Sequence, residues 1–131
     1  MDAIKVTLEI GKEELDSIIA TGLYDGIDDW CMIVEPVGVC LGETWSEQLS
    51  LGGNLRFTLT EPFDDEDTEV YEMDRDKFMK GLQKYIDGLE DQFEVVEEIP
   101  GHGFRFDASK IDSAAADMIF QYALFGEIVF G

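Results

Sequence analysis

Positive charge is scarce in this chain. Nine lysines and arginines stand against 30 aspartates and glutamates in 131 residues, a formal net charge of −21. No run or stripe of bases stands out, so direct binding to nucleic acid or to an anionic membrane surface is not expected, because both are held through clustered Lys and Arg. Histidine occurs once, as His102 within "GHG". A lone histidine offers little for acid–base catalysis or metal binding. A pairing of Cys31 or Cys40 with His102 would still need a third, orienting group that the sequence does not indicate. No P-loop and no G-x-G-x-x-G occurs. No apolar run approaches the roughly 20 residues of a membrane span. The start "MDAIKVTLEIGKEE" lacks a basic n-region followed by an apolar stretch, which leads to the expectation of a cytoplasmic protein. The two cysteines are expected as reduced, buried or half-buried thiols, since neither sits in a CxxC and no metal-ligand set surrounds them. No cofactor is expected, and no enzyme activity.

Apolar residues are not scarce. They make up 45% of the chain, with nine Phe, four Tyr and two Trp, enough for one folded domain over residues 1–131. "AIKVTLEI" (3–10) alternates as a half-buried strand. "KEELDSIIATGLYDG" spaces Leu15, Ile18, Ile19 and Leu23 as an amphipathic helix that stops at Gly26. "WCMIVEPV" reads as a strand interrupted at Pro36, hence at an edge or a strand end. "TWSEQLSL" is expected as a further strand. "NLRFTLT" alternates through Leu55, Phe57 and Leu59, and "TEVYEMD" alternates with Val70 and Met73 turned inward. Asp74 caps a helix striped by Phe78, Met79, Leu82, Tyr85, Ile86 and Leu89. "EIPGHGFRFD" is a turn-rich linker with a short extended piece. Asp112 or Ser113 then caps a last helix whose apolar face is Ala115, Met118, Ile119, Tyr122 and Phe125. It ends at Gly126, before an "EIVFG" that reads as a short strand. The fold class is therefore α+β: one antiparallel β-sheet with two or three α-helices packed on one face, in a single domain.

The ending "DMIFQYALFGEIVFG" (117–131) resembles that of small acidic proteins of bacteriophages and mobile elements which close on an "ALFGE"-type word. "GLYDGIDDW" and "MDRDKFMKGLQ" match words of the same group more loosely. The resemblance covers about a third of the chain. It implies a phage or mobile-element setting and an anti-defence role, anti-CRISPR or antirestriction, and it carries no catalytic residue to transfer. The residues also explain the ending structurally, with Gly126 as a left-handed cap and Phe125 and Phe130 as anchors.

The charge is densest in "EPFDDEDTEVYEMDRD" (61–76), nine carboxylates in sixteen residues with Arg75 the single base. Ordinary solubility asks only for a net charge of roughly 2–8 in magnitude, and the excess works against compaction by self-repulsion. A solvated loop is one reading. A calcium loop is another: Asp65, Asp67, Glu69 and Asp76 fall near the first, third, fifth and twelfth positions of an EF-hand, but Val70 stands where the turn needs Gly. The third reading is imitation of a polyanion. Alternate residues on a strand lie ~6.6–6.8 Å apart, about twice the 3.4 Å rise per phosphate of one DNA strand. Carboxylates on Asp64, Asp65, Glu66, Asp67, Glu69, Glu72, Asp74 and Asp76 would then form a partner-binding surface. The expected function is a nucleic-acid mimic, a binding inhibitor whose partner is a basic nucleic-acid-binding protein or complex such as a Cas effector or a restriction enzyme. The alternative is a phage accessory protein that meets its partner through an aromatic patch of Trp30, Trp45 and the Phe-rich terminus, with acidity serving solubility.

Overall fold

The computed structural model describes residues 10–59, 70–89, 95–101 and 103–130. The expected first strand, 3–10, lies outside them except for Ile10, as do His102 and acidic residues 61–69. The elements in order are α1 (Lys12–Thr21), continued by a π-helical turn Gly22–Gly26, β1 (Cys31–Val37), α2 (Trp45–Ser50), β2 (Asn54–Leu59), β3 (Val70–Met73), α3 (Arg75–Asp87), β4 (Val96–Ile99), β5 (Gly103–Phe106), a 3₁₀ turn Ala108–Lys110, and α4 (Ser113–Phe125). The class is α+β.

The sheet β1–β2–β3 is antiparallel, with β2 in the middle. Strict alternation sends Leu55, Phe57 and Leu59 into the core, the outcome a period of two dictates when one face is covered. Among the described residues Pro36 falls on an edge strand, where its missing N–H costs no ladder bond to a second neighbour. In β3 the inward residues are Tyr71 and Met73, paired with Phe57 and Leu55; Val70 is exposed. The expected pairing of Val70 with Met73 on one face fails because an odd separation puts two strand residues on opposite faces.

A second, two-stranded hairpin, β4–β5, replaces the expected linker, with Val96 opposite Phe106 and Ile99 opposite Gly103. "TWSEQLSL" is a helix, not a strand. The Thr44 hydroxyl accepts a hydrogen bond from the Glu47 N–H at 3.1 Å, and the buried Gln48 makes the short helix a hub. Its Oε1 accepts from the Leu41 N–H at 2.6 Å, and its Nε2 donates to the carbonyls of Val39 and Asn54 at 3.1 and 3.2 Å. No strand would place one side chain within reach of all three.

Helix α4 is the centre of the molecule. Phe120 meets Phe57 of the sheet at 5.9 Å between ring centroids and Phe78 of α3 at 5.3 Å. Its buried residues, Ala115, Ala116, Ile119, Phe120, Gln121, Ala123 and Leu124, go nearly round the helix, whereas Met118, expected on the apolar face, is exposed. A helix packed by a sheet on one side and by α1 and α3 on others has no single apolar stripe. Asp112 is its N-cap, accepting from the Ala115 N–H at 2.8 Å, and Gly126 at φ 77° is its left-handed cap. In α3 the expected stripe holds: Phe78 and Leu82 are buried, and Met79, Tyr85, Ile86 and Leu89 pack against the core.

Residues 127–130 form no strand. Gln121 holds them instead, its Oε1 accepting from the N–H groups of Val129 and Phe130 at 2.9 and 2.8 Å. Phe130 stacks on Trp30 at 5.3 Å with the rings 4° from parallel, and Phe125 tilts against the same indole at 5.6 Å. The Trp30 Nε1–H donates to Asp117 at 2.6 Å.

Candidate functional site

Carboxylates of the described residues divide into two groups by what they touch. One group closes local structure. Glu14 accepts from the Gly11 N–H at 3.0 Å, Asp74 from the Lys77 N–H at 2.8 Å, Asp107 from the Ser109 N–H at 3.0 Å, and Asp117 from Trp30 and Gln121. These acids sit where unpaired N–H groups at helix starts, or buried donors, need an oxygen. The other group, Glu13, Asp25, Asp28, Asp29, Glu43, Glu72, Asp76 and Glu127, is exposed or at the surface and makes no side-chain hydrogen bond or ion pair among the described residues. Among those residues one ion pair closes, Arg56 to Glu35 at 3.5 Å, with both side chains nearly half exposed. A pair that wet contributes about 0–1 kcal/mol. The negative field of these carboxylates is therefore directed outward and, among the described residues, is not neutralised by ion pairing.

Of the eight acids expected to form the binding surface, Asp64, Asp65, Glu66, Asp67 and Glu69 lie outside the described residues. Glu72, Asp74 and Asp76 line one groove of about 880 Å³ beside α3 and the end of α4. Glu72 and Asp76 are free there, and Asp74 is committed to its helix cap.

The same groove corrects the expectation that no basic stripe exists. Lys77, Lys80 and Lys84, spaced by three and four on α3, line it together with Tyr122. Lys77 donates to the Glu72 carbonyl at 3.1 Å. Lys84 donates to the Gly126 carbonyl just past α4, where a cation complements the negative helix end, and lies 5.6 Å over the Tyr122 ring. Two of the three lysines thus fasten backbone ends together. The signal was visible in "KFMKGLQK", but Glu72, Asp74 and Asp76 interleave with it, so the groove is mixed in charge.

Trp30, expected as an exposed anchor, is 2% exposed and committed to Phe125, Phe130 and Asp117. Trp45 is exposed. Cys31 is half-buried and Cys40 is exposed; both are free thiols. Burial pushes the Cys31 thiol up to about 11, with the charge of Asp28 adding to it. Among the described residues no group of three metal-ligating side chains converges, and no helix is long and apolar enough to cross a membrane.

The sheet has an open face that sequence reading did not single out. The register puts Ile33, Thr58 and Val70 in one row across the three strands, and Glu35, Arg56 and Glu72 in the next. All six share the side opposite Phe57, because directly paired residues point the same way. A comparison of the chain with protein-family models, curated proteins and solved structures finds no match.

Proposed function

We propose that the protein is a binding inhibitor that presents a polyanion-like surface to a basic nucleic-acid-binding partner, in the setting of defence against phages or mobile elements. The observation that supports this reading is the uncompensated charge. A chain at −21 carries exposed carboxylates that the fold uses neither for caps nor for ion pairs, apart from one wet pair among the described residues. Such a surface destabilises its own fold and is useful when a basic groove supplies the counter-charge, releasing ions as DNA would. The "ALFGE" ending supports the phage setting, and its residues act on the fold: Gln121, Phe125, Gly126 and Phe130 hold the terminus.

An anti-CRISPR or antirestriction target is a Cas effector or restriction enzyme that grips phosphates with Lys and Arg. The test is capture from a bacterial lysate at low and at high salt, with duplex DNA and RNA as competitors and mass spectrometry of what is retained. Nucleic-acid-binding proteins should be retained at low salt, released at high salt, and displaced by nucleic acid. Retention that is indifferent to both salt and competitor would overturn the reading in favour of apolar anchoring.

A further inference from the structure

We infer that the open face of β1–β2–β3 is the docking surface for a basic amphipathic helix of the partner. The inference rests on the proposed function and names the shape of what is bound. Helices cover one side of the sheet, the side of Leu55, Phe57, Leu59, Tyr71 and Met73. On the other side Ile33 and Val70 are 47% and 52% exposed, flanking Thr58, and Met32 at the β1 irregularity is 55% exposed. β-branched residues on a paired strand form a stiff apolar ridge whose ordering cost has already been met by folding. Three strands at about 4.8 Å span roughly 10 Å, which is about the diameter of one α-helix with its side chains.

Charge selects the occupant. The adjacent row holds Glu35 and Glu72 on either side of Arg56, and Arg56 pairs with Glu35. Glu72 is left with no ion-pair partner among the described residues, so the row is net negative beside an apolar one. A second copy of the chain would bring an identical row and its own −21 against this one and be repelled. A helix with leucines or isoleucines on one face and Lys or Arg along its flanks satisfies both rows together, by the groove-docking mode in which apolar residues at i, i+3 and i+4 anchor. Basic flanks of this kind belong to helices that otherwise lie against phosphates.

The probe is a synthetic peptide of about four helical turns with leucines on one face and lysines on its flanks. Its control is a scramble of identical composition. Affinities are read by titration, and the site by NMR of isotopically labelled protein. The amphipathic peptide should bind about tenfold tighter than the scramble, a difference of about 1.4 kcal/mol, and shift the amides of Ile33, Thr58 and Val70. I33T/V70T keeps β-branching and should erase that preference while leaving the scramble's affinity unchanged. E35Q/E72Q should weaken both peptides, and more so at low salt. Equal binding of the two peptides to the natural protein, with shifts elsewhere, overturns the docking face and leaves the general acidic reading intact. If neither peptide binds at low salt, both readings fall.

Discussion

At the scale of single residues, the side chains that decide most are polar ones in apolar surroundings. Gln121 is 1% exposed and uses both ends of its amide, accepting from Val129 and Phe130 and donating to Asp117 and the Phe130 carbonyl. Gln121→Leu preserves volume but strands those groups, and each buried polar atom left unpaired costs about 1–3 kcal/mol. The variant should unfold at lower urea, and its last residues should be clipped by protease sooner. Unchanged urea midpoint and clipping would show that water replaces the amide without loss. Cysteine reactivity offers a second check. Only the thiolate attacks, and a thiol pushed up to about 11 is roughly one part in a thousand ionised at pH 8. Iodoacetamide at pH 8 should therefore label the exposed Cys40 well before Cys31. Labelling of Cys31 should rise about tenfold per pH unit through pH 10. Equal rates at pH 8 would mean that Cys31 is not shielded.

At the scale of elements, helices meet by close approach. A Cβ added at Gly81 of α3 would stand 2.6 Å from the backbone nitrogen of Ala123 in α4. In an exposed helix interior, Gly→Ala stabilises by about 0.5–1 kcal/mol. Here the neighbour is main chain and cannot swing aside, so Gly81→Ala should destabilise by about 1–3 kcal/mol, the range for an overfilled core. A gain in melting temperature would mean that α3 and α4 sit further apart. Leu82→Ala, one residue on, empties a buried site and should cost about 2–5 kcal/mol. Helix α3 was legible because its stripe, its Asp74 cap and its length agree. Helix α2 was misread although "TWSE" is a capping-box word, Thr followed three residues later by Glu. Its six residues are too few for a period of 3.6 to show, and its buried side chains include the polar Gln48 and Ser50, whose partners Asn54 and Asp16 lie outside the helix.

At the scale of the whole molecule, the controlling term is self-repulsion. The net charge is −21, and one weak ion pair closes among the described residues. Raising salt shortens the Debye length from about 30 Å at 0.01 M to about 8 Å at physiological ionic strength, which should raise the melting temperature by several degrees. Divalent cations should do so at lower concentration. A melting temperature flat across that range would show that the acids are too far apart to repel. Partner binding should have the opposite salt dependence, weakening as salt strengthens the fold.

The sequence alone determined the sign and scale of the charge, the α+β class, the inward residues of β2, the stripe of α3 and the Gly126 cap of α4, and it narrowed the N-cap of α4 to Asp112 or Ser113. The charge follows from composition, and the rest from local periodicity or from groups within about one helical turn of one another. The acidic surface was legible as composition; its division into capping and free carboxylates was not, because that depends on which N–H groups the fold leaves unpaired. Tertiary structure decided the rest. The hairpin β4–β5 and the hubs at Gln48 and Gln121 join residues near in sequence, but no periodic pattern marks them. The depth of α4 and the burial of Trp30 under Phe125 and Phe130 depend on residues distant in sequence. So does the open sheet face: Ile33, Thr58 and Val70 form a row through pairing across three strands, and strand register is a property of the folded sheet.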